Sequence, residues 1–337
     1  MKKTPFKEDT SKFILITGLK IASIPLITSL FVQYIVLLLV KMNQIYLESN
    51  GLWKEPALKD VFVSQVFMEI SEYFIYMCLF IICLFFIGCY LGQILLRPFK
   101  VLGDYSLEAI ENPEAVFSPD LFSDFRILNR FSEYFYNIVS SMRQQGGLQV
   151  IKIPTSYQKI RKPVFDKVFF FHFSLFLLAL CLLIGAFTHV IALELHEIII
   201  NISSKNMSMT SKIHNPAYFL QEQANIIDSV STISIAVTVI SYMLLAYHLY
   251  GQVSGAAFGI FSTMRAFLKG GYSNRVHLIG YTYLRQYTRA INKYLDYIER
   301  NFAESKPESS NKSDHDSNQT LPCIVSVETE KKDKKVL

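Results

Sequence analysis

The residues with the strongest claim to chemistry are His189, Glu194 and His196, with His214 further along the same loop. Imidazole and carboxylate are ordinary ligands for first-row metals. Steps of five and two residues scatter these groups around a helix, so the reading is solvated side chains at a membrane interface, and no metal is expected. His172 and His248 lie near the ends of apolar runs. A proton path would need ionisable groups at mid-depth, where burial is tolerated only for function, and the apolar runs hold no Asp, Glu, Lys or Arg. Gln33 reads as an interhelical hydrogen-bonding residue. Cys78, Cys83, Cys89, Cys181 and Cys323 include no C-x-x-C pair and read as packing residues. There is no phosphate loop, His-Glu-x-x-His pair or Gly-x-Ser-x-Gly elbow. The chain is therefore expected to be non-enzymatic and to need no cofactor.

Composition shows what holds these residues. Of 337 residues, 51% are hydrophobic and 18% charged, with 27 Phe and 19 Tyr. A soluble domain carries about a quarter charged residues. A helix needs roughly 20 apolar residues to cross a bilayer core of about 30 Å. Ile21–Val40, Tyr73–Leu96, Val168–Leu193 and Val230–Tyr250 each qualify. The first is too long for a removed signal peptide and is expected to be retained. Basic residues set the orientation. They crowd the N-terminus, the segment between spans two and three, and the segment after span four. The loops 41–72 and 194–229 are acidic instead. Both termini are therefore expected to be cytoplasmic. The net charge of +5 is too dispersed for nucleic-acid binding. For the cluster Lys152, Lys159, Arg161, Lys162 and Lys167 a role as topology determinant is sufficient; lipid headgroup binding would add to it and is the lesser reading.

The chain repeats itself. Gly92-Gln93 closes span two and Gly251-Gln252 closes span four, an offset of 159 residues. At that offset, steps of four and three residues pick out matching series. The first copy has Pro98, Leu102, Tyr105 and Ala109, then Leu121, Phe125, Leu128, Ser132, Phe135, Val139 and Met142. The second has Ala257, Phe261, Met264 and Leu268, then Gly280, Leu284, Tyr287, Ile291, Tyr294 and Ile298. Such alternation is the seam of a left-handed helical bundle. Periodicity alone favours generic core, but each pair of seam helices directly follows a membrane span.

These residues resemble HAMP domains, the linkers that join membrane helices to output modules in sensor kinases and chemoreceptors. Arg97-Pro98-Phe99 matches the family's opening proline. Gly271 matches the connector glycine, and Val276 and Leu278 match its two apolar anchors. Copy one has Asn112-Pro113 at the glycine position, with anchors near Val116 and Phe117, and copy two has Ala257 in place of the proline. The resemblance covers 98–142 and 257–302. It implies a parallel four-helix bundle, here formed within one chain as a pseudo-dimer.

The expected architecture is thus an all-α membrane protein with four transmembrane helices and two HAMP-like linkers. Residues 1–20 form a cytoplasmic N-terminus, 21–97 a first hairpin, 98–142 a first HAMP-like unit and 143–167 a basic linker. Residues 168–250 form a second hairpin, 251–302 a second HAMP-like unit and 303–337 a disordered tail too short for a kinase or cyclase. The expected function is a signal relay in a bacterial inner membrane, acting on an unidentified cytoplasmic effector. A structural or assembly subunit is the alternative and a transporter the third. The bilayer is the expected partner, and homo-oligomerisation is left open. In the tail, Leu321–Val327 reads either as a docking peptide or as a neutral apolar interruption, and the lysines from Lys331 to Lys335 as a lipid contact.

Overall fold

The computed structural model describes residues 5–51, 56–117, 126–160, 167–208 and 216–302. They form α1 (Pro5–Ser49), α2 (Pro56–Glu111), α3 (Arg126–Gln144), the single turn α4 (Thr155–Gln158), α5 (Lys167–Ser208), α6 (Pro216–Leu268) and α7 (Arg285–Phe302). A 3-10 turn at Thr282–Leu284 leads into α7, and no strand occurs among the described residues. His214, Leu121, Phe125, Cys323 and the tail from Ala303 lie outside them.

Four helices, α1, α2, α5 and α6, are long and apolar enough to cross a membrane. Only 22–33% of each apolar window is buried inside the protein, so most of each faces outward. Ile27, Phe67, Phe86, Leu244 and Tyr247 are each about two-thirds exposed. Water does not support a continuous belt of that kind, whereas hydrocarbon does. The belt also reaches lower on α1 than Ile21, where the apolar run begins in the sequence. Leu15, Ile16 and Leu19 are half or more exposed, and Lys20 interrupts them with its Nζ 3.4 Å from His248 Nε2. Lys12 therefore marks the polar edge.

The spanning helices form two antiparallel hairpins. In α1–α2 the contacts run from Gly18 against Gly88 to Gln33, whose Nε2 donates to Met77 Sδ. In α5–α6 they run from Phe170 against Tyr250, through Gly185 against Ile235, to His189 Nδ1 at 2.8 Å from Ser231 Oγ. Pro25 joins the hairpins indirectly. Having no N–H, it cannot serve the Ile21 carbonyl one turn back, and that oxygen accepts from Tyr242 Oη of α6 at 2.8 Å. At the end of the hairpins away from Gly18 and Tyr250, Asn43 and Gln223 exchange two buried amide hydrogen bonds of 3.0 and 3.2 Å. Glu194 there accepts from Tyr73 Oη, and His196 is buried. Among the described residues no group of His, Cys, Asp and Glu could hold a metal.

The helices outrun the apolar segments. α2 has 56 residues and α6 has 53, about 80 Å each at 1.5 Å per residue. Neither breaks where its span ends: α2 passes through Pro98 and α6 through Ala257. The first seam segment of each copy is the continuation of a spanning helix. The described part of the N-terminal stretch, from Pro5, is also helix, and it packs on the second copy. Phe13 stacks on Tyr283 at 4.2 Å, and Thr10 Oγ1 donates to the Tyr283 carbonyl at 3.0 Å.

Candidate functional site

The last turns of α2 and α6 meet α3 and α7. Contacts along α3 climb with both neighbours. Phe131 packs on Phe261 and Phe135 on Phe267. Tyr136 Oη meets Ser106 Oγ at 2.7 Å, and Arg143 Nη1 donates to the Ala109 carbonyl. Gly103 lies against Tyr287, while Arg143 sits over the rings of Tyr297 and Phe302. Residue numbers rise together in every pairing, so α3 and α7 run parallel to the two continuing helices.

Of the seam residues, Pro98, Leu102, Ala109, Leu128, Ser132 and Phe135 are buried in the first copy, as are Phe261, Met264, Leu268, Leu284, Tyr287, Ile291 and Tyr294 in the second. Tyr105 is half-buried, with its hydroxyl donating to the Ala115 carbonyl. Gly280 leaves the series: it is exposed in the connector, with φ +86. The repeat is visible in the backbone, since α3 and α7 begin at Arg126 and Arg285, the same 159 residues apart. The buried connector residues Phe117 and Val276 match at that offset.

The two connectors are built differently. In the first, Asn112 turns the chain by accepting the Glu114 amide on its side chain, an Asx turn. Phe117 enters the core beside Tyr105 and Tyr136, while Val116 points out and is 81% exposed. In the second, the glycine that takes the left-handed conformation is Gly270, at φ +97, and not Gly271. The amides of Gly270 and Gly271 bond the Phe267 and Ala266 carbonyls, a helix stop in which the residue needing positive φ comes first. Gly146 and Gly147 end α3 in the same way.

Polar clips fix the second connector. Val276 donates its amide to Asn292 Oδ1 at 2.8 Å and accepts from Asn292 Nδ2 at 3.1 Å. Arg275 pairs with Asp296 at 2.6 Å and with Glu299. Burial disfavours the guanidinium charge, but hydrogen bonds to both carboxylates outweigh it and raise the pKa. Leu278, half-buried, packs against Gly259. Replacing Asn292 with alanine orphans two buried backbone groups, a loss of about 1–3 kcal/mol. Hydrogen exchange is expected to accelerate at 272–278 while α3 keeps its protection; equal protection in the variant would refute the clip.

Linker 147–160 is docked as well. Ile151 donates its amide to the Leu268 carbonyl at the end of α6. Tyr157 packs between Phe131 and Phe261, and Arg265 donates to the Tyr157 and Ile160 carbonyls. At the centre, burial pushes the Tyr136 phenol far above its usual range, opposed by its bond to Ser106, and burial raises Tyr294 similarly. Both stay neutral hydrogen-bonding groups. What the arrangement offers is a set of coupled packing contacts. No family model, curated protein or solved structure matches the chain.

Proposed function

We propose that this chain is a non-enzymatic signal relay of a bacterial cytoplasmic membrane, with both termini in the cytoplasm. In this reading the four cytoplasmic helices form a HAMP-like parallel bundle within one chain. The observation that carries it is the continuity of α2 and α6 from beyond the apolar layer into the seam. A small shift of either spanning helix moves its seam residues directly, and packed interfaces answer such shifts by switching between discrete arrangements. The two lateral interfaces differ. α2 meets α7 through Gly103, where an added Cβ would stand 3.2 Å from the Tyr287 Cα, whereas α3 meets α6 through paired aromatic rings. Unequal interfaces give the bundle two inequivalent ways to repack. A cytoplasmic partner protein reads the change.

The test is Ser132→Leu. Ser132 is fully buried, with Met264 Sδ at 4.0 Å, and overfilling such a site costs about 1–3 kcal/mol. A relay predicts that the variant accumulates at the wild-type level while the proteome of the cells shifts. The clips at Arg275 and Arg265 favour a second reading, a rigid stalk in a membrane assembly. That reading predicts either lost assembly or an unchanged proteome, and an unchanged proteome would sink the relay.

A further inference from the structure

The second connector climbs toward the apolar belt before it turns into α7. Leu278 lies against Gly259 of α6, Tyr281 Oη against Gly255, and Tyr283 stacks on Phe13 of α1. α1 and α6 run antiparallel, with Lys20 beside His248. Eight residues further toward the connector on each helix, Lys12 at the polar edge is level with Ala256. Tyr281 and Tyr283 therefore sit at that edge, and Leu278 lies about 5 Å beyond it at 1.5 Å per residue. Ile279 falls between these levels. It is 94% exposed, and no other large hydrophobic residue among those described is as exposed. Val276 is buried and Leu278 half-buried, so the alternating His277 and Ile279 face outward. His277 is the further from the belt, by up to about 7 Å of extended chain. The outward face thus changes from imidazole to isoleucine as the belt is approached. Gly280, at φ +86 with nothing within 4 Å of its missing Cβ, turns the chain beside it.

We propose that the Ile279 turn inserts into the lipid headgroup layer, so that the second connector is seated on the bilayer as well as on α6. The layer outside the hydrocarbon is roughly 5–8 Å deep on each side, enough to span the levels of Tyr281 and Leu278. The belt supplies continuity: Leu15, Ile16 and Leu19 of α1 are half or more exposed on the hydrocarbon side of Phe13. Tyr281, half-buried, places its ring at the membrane–water boundary, where tyrosines collect. Val150 is the contrast. It is 71% exposed beside Gly270, and its neighbour Ile151 bonds the Leu268 carbonyl. Leu268 is 12 residues past Ala256, about 18 Å from the edge, with no belt for Val150 to continue. A bilayer that thins or tightens presses on the turn, and Leu278 and Val276 pass that load to Gly259 and Asn292. The insertion needs only the membrane spans and does not depend on the relay reading.

Fluorescence quenching of the full chain in phosphatidylcholine vesicles tests it, with dibrominated phosphatidylcholine as the lipid probe and iodide as the aqueous one. Trp53 is the only tryptophan, so Ile279→Trp and Val150→Trp are made in a Trp53→Phe background. Ile279→Trp should lose most of its emission to the bromolipid and little to iodide, and Val150→Trp should do the reverse. Two results would overturn the proposal. Iodide quenching of Ile279→Trp as strong as that of Val150→Trp would place the turn in water, open to a soluble partner. Protection from both quenchers would place it against a second copy of the chain. If Ile279→Trp fails to fold, the unaltered chain decides. A phosphatidylcholine with a carbene-generating group near its glycerol should label the belt at Leu15, Ile16 and Leu19. Label on the 278–281 peptide as well supports insertion, and label on the belt alone refutes it.

Discussion

Gly88→Leu is expected to prevent stable accumulation of the protein, and Gly251→Leu to leave it nearly untouched. At Gly88 an added Cβ would stand 2.8 Å from the Gly18 Cα and 3.0 Å from the Ile21 Cβ. At Gly18 it would meet the Phe85 carbonyl at 2.9 Å, and at Gly92 the Ile14 Cα at 3.2 Å. The obstacles at this crossing are mostly backbone, which cannot rotate away. Close backbone approach through small residues is what lets helices pack in lipid, where the hydrophobic effect gives no preference for helix over hydrocarbon. Leucine at Gly88 forces α1 and α2 apart, and the cost exceeds the roughly 1–3 kcal/mol of ordinary overpacking. The damage spreads, because α1 also carries Thr10 and Phe13 to Tyr283. Gly251 occupies the offset position of Gly92, yet nothing lies within 4 Å of its missing Cβ. Leucine there stays within about 0.5 kcal/mol, the range of surface substitutions. Membrane expression and the melting temperature of the solubilised chain measure both. Equal behaviour of the two variants would mean that α1 and α2 do not cross at Gly18.

The spans and the repeat are legible in the sequence because each rests on many residues. An apolar run such as Tyr73–Leu96 can do little but lie in lipid, and the 159-residue offset is repeated by every matched seam position. Other features rest on one or two residues and are hidden. A two-stripe reading selects Phe135 and passes over Tyr136, but the core is wider than a coiled-coil seam. Phe99, Phe131, Phe267 and Leu295 are fully buried beside it. The Asn292 and Arg275 clips join residues 16 to 24 positions apart, and no local pattern announces them. Gly270 and Gly271 are adjacent and identical in sequence, so only backbone geometry shows which one turns. The long α1 is masked by Lys12 and Lys20, which look like the flank of a span although apolar residues continue between them.

The packed centre where α2, α3 and α7 meet gives the other large effect. Tyr136 is fully buried, and its ring meets Tyr105 at 4.5 Å, Phe117 at 5.0 Å, Phe135 at 5.3 Å and Tyr294 at 5.5 Å. These contacts belong to α2, the first connector, α3 and α7, so one side chain touches nearly every part of the site. Tyr136→Ala leaves a cavity that stiff aromatic neighbours cannot close, and large-to-small changes of this kind cost about 3–5 kcal/mol. Tyr136→Phe keeps the ring and removes only the hydroxyl. Ser106 Oγ loses that contact but still donates to the Leu102 carbonyl at 2.7 Å, so no buried donor is orphaned. The loss is then the net worth of one hydrogen bond, about 1 kcal/mol. Ser106→Ala in the Tyr136→Phe background should cost less than it does in wild type, because the shared bond has already gone. Thermal unfolding of the full chain measures all four forms. The decisive comparison is alanine against phenylalanine: if both cost the same small amount, Tyr136 is not enclosed by these helices and the proposed parallel bundle loses its central layer. A large gap between them is the result expected of a helix set that meets there.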